Sequence, residues 1–495
     1  MLVATYLQKI HSLLNFLPVF SVVNLIIVFI IVLSTKVFST FYTKDYSISV
    51  VKLTIIVVLS INLILIFFKI ILQFILNQYQ LLVLTEATLS LFNFTIIFNW
   101  NLLGTSLLIL CYVTTIICLV YLGDRNIFGN SLSGVYFLIF LVCTTFLVTT
   151  TNLLIMFLSF ECIFVPSIFF VYSLGYVKKV DKTIYFLLLW TLFGSFMVLF
   201  GLAYIYSVVG SLNFFSINNA KFTDQESFFI YLCLFIGYGM KVPLFPFHYW
   251  LTKVHVEAPA GFSIFLSGFL VKTAAYCFYY ISLIFSSNNL KIILVLWCLL
   301  GVVEASLKMW SQLDIKKLIA FATIQEMNMI IFCLLLVNQI NLNLIAIFFL
   351  LHGLLSSYMF LLVDQIQKRM QTRNILELSG TGVLFPLLRN FIWYLIIFFL
   401  GFPGTTKFII EWHVGFLLVT VLHWVGFFVF FIALVSGGVG FTKCWLLILY
   451  GNPSSNFTST DKSTVDLFKK DQTIFYVLLI FMFLLSFMFV LINCL

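Results

Sequence analysis

The sequence predicts an all-α polytopic membrane protein: about fourteen transmembrane helices, with two inverted five-helix repeats whose seventh and twelfth helices are interrupted. Three observations predict it. Of 495 residues, 63% are hydrophobic and only 9% are charged, whereas soluble domains carry about 25% charged residues. Apolar runs of about 18 residues or more, each long enough to cross a bilayer, recur from end to end. The basic residues fall in alternate loops with a one-sided bias, as they do in polytopic membrane proteins.

In chain order the spans read approximately 14–34, 50–76, 102–122, 134–151, 153–175, 183–210, 228–249, 262–284, 290–308, 316–337, 341–363, 384–419 (interrupted), 425–449 and 474–494. The opening MLVATYLQKIHSLLNFLPVF has neither a clear cleavable signal nor an Arg- and Ser-rich import pattern, so the first run reads as a retained helix. Segment 77–101 is expected to be an extramembrane loop, because Glu86, three asparagines and a strand-like alternation interrupt its apolar character.

Numbering the spans puts Lys36, Lys44, Arg125, Lys178, Lys179, Lys182, Lys253, Lys308, Lys316, Lys317, Lys368, Arg369, Arg373, Lys462, Lys469 and Lys470 on one side. The other side collects only Lys9, Lys221 and Lys291. Such an asymmetry supports the span count, since one miscounted helix in the middle would scramble it, and it puts both termini on the lysine-poor side. The expected organisation is three N-terminal helices (1–133), a first repeat (134–284), a second repeat (285–450), then a loop and a last helix (451–495). The net charge of +9 reads as topology bias and not as a nucleic-acid surface, because the basic residues sit in short loops. Ten cysteines fall singly with no C-x-x-C pair, so no metal site is expected, and they read as small apolar helix residues. The 61 phenylalanines suggest A/T-rich coding, as in an organelle genome.

A few ionisable residues stand inside the spans: Glu161, Lys241, Lys272, Glu304, Glu326, His352 and Glu411. A charged group at a helix centre costs roughly 2.5–3.5 kcal/mol on insertion scales, so several of them imply use. Glu304, a turn from Lys308, also suits snorkelling from a helix end. The chain breaks beside two of these residues. Pro243 and Pro246 follow Lys241, and GFPGTTKF (401–408) precedes Glu411. Irregular backbone at membrane depth is tolerated where it is buried in protein or lines a wet cavity. Broken helices at matching places in two halves point to an inverted-repeat transporter. The offsets agree, 170 residues from Lys241 to Glu411 and 165 from Glu161 to Glu326. At 4 Å and an effective dielectric near 20 an ion pair is worth about 4 kcal/mol. Moving Glu161 towards or away from Lys241 would therefore switch the lysine between holding and releasing a proton. The alternative is a static ion pair that fixes helix packing.

These residues lie in stretches that resemble a known family. KVPLFPFHYWLTKVHVEAPAGFSIFLSGFLVKTAAYCFYY (241–280) resembles the central signature of the antiporter-like membrane subunits of respiratory complex I. FECIFVPSIFF (160–170), DIKKLIAFATIQEMNM (314–329), LHGLLSSYMFLLVDQIQKRMQTR (351–373) and GFPGTTKFIIEW (401–412) agree with it, in order, over roughly 150–420. The resemblance implies a proton-translocating module of fourteen spans. It implies that Glu161 pairs with Lys241, that Lys272 continues a central polar axis, and that His352 and Glu411 complete it. A glutamate at Glu411 marks one of the sister subunit types, the others having lysine there. The chain departs from the family where a tenth-span Ser-x-x-His-Met is usual and Ile324, Gln325, Glu326 and Met327 stand instead. Glu304 is a second departure.

The resemblance further implies no cofactor in this chain, with NADH, FMN, iron–sulfur clusters and ubiquinone bound by other subunits. Expected partners are other membrane-arm subunits, especially sister antiporter-like chains, the lipid bilayer, protons and internal water, and no nucleic acid. The expected place is the mitochondrial inner membrane, with a bacterial plasma membrane as the alternative. The competing function is an Mrp-type cation/proton antiporter subunit. A purely structural spacer is disfavoured by the retained buried charges.

Overall fold

The computed structural model describes residues 21, 24–25, 54–67, 86–91, 94–99, 101–122, 132–174, 180–284, 288–336, 341–451 and 466–494. The expected first span, 14–34, and the loop 452–465 lie largely or wholly outside them. Two compact units divide the chain, Met1–Leu174 with Val198–Tyr231 and Gly175–Met197 with Leu232–Leu495.

The first unit holds helix α1 (Thr54–Phe67), strands β1 (Glu86–Leu91) and β2 (Phe94–Asn99), and helices α2 (Leu102–Leu122), α3 (Leu132–Thr149) and α4 (Leu153–Leu174). Helix α5 (Val180–Val209) and helix α7 (Asp224–Lys241) each have residues in both units, and the short α6 (Phe214–Asn219) lies in the first. The alternation noted in 77–101 corresponds to an antiparallel hairpin, with Glu86 opposite Asn99 and Leu91 opposite Phe94. Several hydroxyls inside the apolar helices are satisfied locally. The hydroxyls of Thr114, Thr149 and Thr191 each donate at 2.7 Å to the carbonyl one turn back, which removes the cost of an unpaired polar group where no water reaches.

In the second unit α8 (Tyr249–Glu257) and α9 (Ala260–Phe265) are followed by a π-turn at Leu266–Leu270 and then α10 (Val271–Ile284). Next come α11 (Asn288–Trp310), α12 (Ile315–Leu335), α13 (Leu342–Met370), the short α14 (Thr381–Leu384), α15 (Pro386–Phe399) and α16 (Thr406–Ile432). A second π-turn at Ala433–Gly437 leads to α17 (Gly438–Tyr450), and α18 (Lys469–Cys494) ends the chain. Asp314 and Asn341 cap α12 and α13, accepting from the amides of Lys316 and Asn343, the exchange that starts helices at such residues. Eight helical stretches are long and apolar enough to span a membrane, besides three shorter apolar helices, among the described residues.

The seventh span differs from its expected limits, 228–249. α7 stops at Lys241 and the helix resumes only at Tyr249. Pro243 and Pro246 lack the amide that a continuing helix needs, and the freed carbonyls find other donors. The Trp250 indole donates to the Met240 carbonyl at 2.7 Å, and the Trp297 indole donates to that of Phe245. The twelfth span breaks between α15 and α16, where Gly401 and Gly404 take φ of +62° and +97°.

Thr406–Tyr450 reads as one long, mostly apolar stretch, yet it is not one helix. At His423 the backbone leaves helical geometry (φ 50°, ψ −124°) and the chain turns back. Gly415 and Phe430 would stand about 22 Å apart on one straight helix, whereas a Cβ on Gly415 would meet the Phe430 ring at 2.7 Å. The expected boundary between the spans 384–419 and 425–449 falls at this reversal.

Candidate functional site

Three spans are almost wholly enclosed by other protein: Gly261–Leu283, Ile315–Leu335 and Leu342–Met370. They carry Lys272, Glu326 and His352, and the three side chains are buried. Ionisable groups in membrane helices face the protein interior because hydrocarbon cannot solvate them.

Glu326 is the hub. Its Oε1 accepts from Lys407 Nζ at 2.6 Å, and its Oε2 stands 3.9 Å from His352 Nε2. Lys407 lies in the first turn of α16, one turn before Glu411, and its Nζ is 3.6 Å from Glu411 Oε1. The same ammonium sits 3.9 Å above the centre of the Phe399 ring, a cation–π contact supplied by the end of α15. Lys272 interacts electrostatically with Glu326, and His352 with both Lys272 and Lys407. A cavity of about 60 Å³ opens among Gln325, Glu326, Phe399, Lys407, Glu411 and Gly438. That is room for several waters, since one needs about 10–15 Å³ by this measure.

The backbone builds this cluster. Thr405 caps α16, its Oγ1 accepting from the Phe408 amide at 3.4 Å, and so places Lys407 and Glu411 on one face, a turn apart. Gly401 admits the carboxylate, because a Cβ there would lie 2.5 Å from Glu411 Oε2. Before α10 the π-turn brings the Ser267 carbonyl to Lys272 Nζ, which donates to it. π-bulges of this kind recur at functional sites. Gln325 Nε2 donates to the Ala433 carbonyl at 3.1 Å, tying α12 to the second π-turn.

Lys241, 1% exposed, ends α7 in the second unit. Gly194 of α5 lets the lysine stem approach: a Cβ there would lie 2.8 Å from the Gly237 carbonyl oxygen and 3.4 Å from Lys241 Cε. Glu161 stands on α4, half-buried, in the first unit. The structure thus brings together Lys272, Glu326, His352 and Glu411, while Glu161 and Lys241 occupy separate units. Glu304, which the sequence puts a turn from Lys308, pairs with that lysine at 2.5 Å and lies 3.7 Å from His248 Nε2.

Sequence reasoning missed Lys407. Its signal was present, a lysine one turn before Glu411 inside the quoted GFPGTTKF. It also counted Lys316 and Arg373 as loop charges. Lys316 is buried and donates to the Ala258 carbonyl at 3.1 Å, and Arg373 donates to that of Val256. Both cations meet the C-terminal end of α8, where the helix dipole favours positive charge. His255 was missed as well. It is fully buried against the Phe360 ring, and neither ring nitrogen has a hydrogen-bond partner among the described residues.

Residues 150–438 match the family described as NADH:quinone oxidoreductase/Mrp antiporter, transmembrane region. NADH-ubiquinone oxidoreductase chain 4 of Paramecium tetraurelia is 36% identical over 383 residues, covering 76% of this chain and 79% of that protein. NADH-quinone oxidoreductase subunit M of Rickettsia felis is 29% identical and covers 64% of this chain, and the match spans 65% of the Rickettsia protein. Two solved structures share the fold at 16% identity. One is the membrane-bound sulfane sulfur reductase, an archaeal respiratory membrane complex, with a TM-score of 0.77 over 97% of this chain and 94% of the other. The second is respiratory complex I from Thermus thermophilus with bound NADH, with a TM-score of 0.74 over 96% and 95%.

Proposed function

Because the chain belongs to the membrane family of NADH:quinone oxidoreductases and Mrp antiporters, we propose that it is a proton-translocating membrane-arm subunit of an NADH:ubiquinone oxidoreductase. The observation that carries the reading is the run of contacts His352, Glu326, Lys407 and Glu411, buried as far as Lys407 and half-buried at Glu411, with Lys272 interacting electrostatically with Glu326, beside a cavity roomy enough for water. Groups that exchange protons must lie within hydrogen-bond or one-water reach of each other. A run of this kind, facing protein and crossing from the eighth to the twelfth span, serves as a relay better than as a packing device.

In this reading electron transfer from NADH to ubiquinone occurs in other subunits, which hold the FMN, the iron–sulfur clusters and the quinone. Their conformational signal reaches this chain through its helices. Glu161 supplies the charge that tunes Lys241, and a proton passes from Lys241 to Lys272, then through Glu326 and His352 to Glu411. The broken helices on either side provide the hinges. The partners are other membrane-arm subunits, including sister antiporter-like chains, and the site of action is the mitochondrial inner membrane with both termini on the intermembrane-space side. The test is a native gel of solubilised membranes stained for NADH dehydrogenase. The chain is expected in the stained band. Migration in a separate assembly without that activity would favour the Mrp-type cation/proton antiporter and remove the complex I reading.

A further inference from the structure

Glu326, Lys407 and Glu411 form a triad of two carboxylates and one ammonium within 4 Å contacts, buried at Glu326 and Lys407 and half-buried at Glu411. With all three ionised and the neighbouring Lys272 neutral, the triad carries one unbalanced negative charge in a place that protein largely encloses, and an uncompensated buried charge is strongly disfavoured. One added proton cancels it. The charged and titratable groups facing the triad come from each element packed around it: Lys272 from α10, His352 from α13, and Glu326 itself from α12. Glu326 occupies the place where the resembling family usually has a histidine, so this chain brings a carboxylate to a position that elsewhere is neutral or cationic. Lys407 is the group that meets it.

We propose that Lys407 is a positioning residue of the proton path, a permanently charged bridge that pairs with Glu326 and Glu411 in turn and so decides which carboxylate holds the proton. The inference rests on the proton-relay reading above. In the structure the ammonium favours Glu326, at 2.6 Å against 3.6 Å for Glu411. Glu326 is then the ionised partner and Glu411 the protonated one. A shift of Nζ by about 1 Å, to the usual charge-assisted distance of about 2.7–2.9 Å from Glu411, reverses the assignment. The O–H bond at Glu411 breaks and its proton leaves towards the next group, while Glu326 takes up a proton from the Lys272 side and forms a new O–H bond. The triad is neutral before and after, with one proton gained and one lost. The Phe399 ring beneath Nζ supports the cation through the shift, and the neighbouring cavity gives water access to both carboxylates.

The test uses the intact complex in sealed vesicles, with NADH oxidation and dye-detected proton uptake measured together across a pH series. Lys407→Met is expected to lower protons moved per NADH at least fivefold and to shift the pH profile of uptake. Lys407→Arg, which keeps the bridge but cannot deprotonate, is expected to retain at least half. Glu326→His with Lys407→Met removes the carboxylate together with its counter-charge, and is expected to recover at least half of the uptake that Lys407→Met loses. It also serves if Lys407→Met alone does not assemble. Normal uptake and an unshifted profile in Lys407→Met would overturn the proposal, as would an inactive Lys407→Arg or a double variant that assembles and stays inactive. Lys272→Met is the control. If it too pumps normally, the relay reading itself fails; if it loses pumping while Lys407→Met does not, only the role of Lys407 falls.

Discussion

Two buried lysines of this chain, Lys241 and Lys407, invite opposite expectations from the same substitution. Lys241 ends a broken helix, buried against Gly194 and the α7 backbone, and its proposed task is to hold and release a proton. Lys241→Met should therefore leave the complex assembled on a native gel and abolish most proton uptake. Lys241→Arg should not restore it, because a guanidinium stays charged in proteins. Uptake restored by arginine would show that charge alone suffices there. The role of Glu161 is argued on the same terms: Glu161→Gln keeps the shape and removes the charge, and should impair pumping more than Glu161→Asp, whereas equal activity in Gln and native protein would leave only packing. At this scale the sequence disclosed the charges but not their pairings. Glu326 and Glu411 stood out because carboxylates are rare in apolar runs. The meeting of Glu326 with Lys407 joins residues 81 apart in the chain, and no periodicity reports which faces of α12 and α16 touch.

At the scale of elements, breaks were easier to read than burial. Pro243, Pro246 and the glycines of GFPGTTKF announce their interruptions through backbone chemistry that is local to each residue. The reversal at His423 is marked by no proline or glycine at the break itself, and only a slight dip in apolar character separates the two spans. Lys316 was misplaced for a related reason: counting basic residues near helix ends treats each as solvated, and cannot tell a loop lysine from one that caps a neighbouring helix. The interruption before α16 yields a direct prediction. Gly401 combines φ of +62° with contact to Glu411, so Gly401→Ala should cost about 1–3 kcal/mol of local stability through backbone strain. It should also lower pumping, because Glu411 must move aside. A thermal-shift measurement on the purified complex with parallel uptake assays checks both, and unchanged values in each would show that the backbone there relaxes freely.

For the whole molecule, the lysine asymmetry predicts orientation. A cysteine replacing Lys368, at the end of α13, should react with an impermeant thiol reagent from the lysine-rich side. One replacing Lys221, between α6 and α7, should react from the opposite side. Labelling of both from one face would overturn the span count. Helix content, membrane class and the two interruptions were legible because composition and backbone-breaking residues carry them. The enclosure of the eighth, tenth and eleventh spans was legible only in part: the eighth is the least apolar, with a mean hydropathy of 1.4, but the eleventh, at 2.1, matches the half-covered Asp181–Val209 and Lys291–Trp310. The enclosure of those three spans emerges from packing, and it covers Lys272, Glu326 and His352, whereas Lys407 and Glu411 stand on the far less covered stretch Thr406–Tyr450.

The indoles that donate to the Met240 and Phe245 carbonyls give the seventh-span hinge an optical label of its own. Trp250 is buried and Trp297 more exposed, and indole emission responds to hydrogen bonding and to nearby quenchers. Opening of the hinge would release one or both carbonyls and shift the emission during turnover. Trp250→Phe and Trp297→Phe should each remove part of that transient, with Trp250 shielded from quenchers dissolved in the lipid. A flat emission trace under steady NADH oxidation would mean that this break stays closed while the enzyme works.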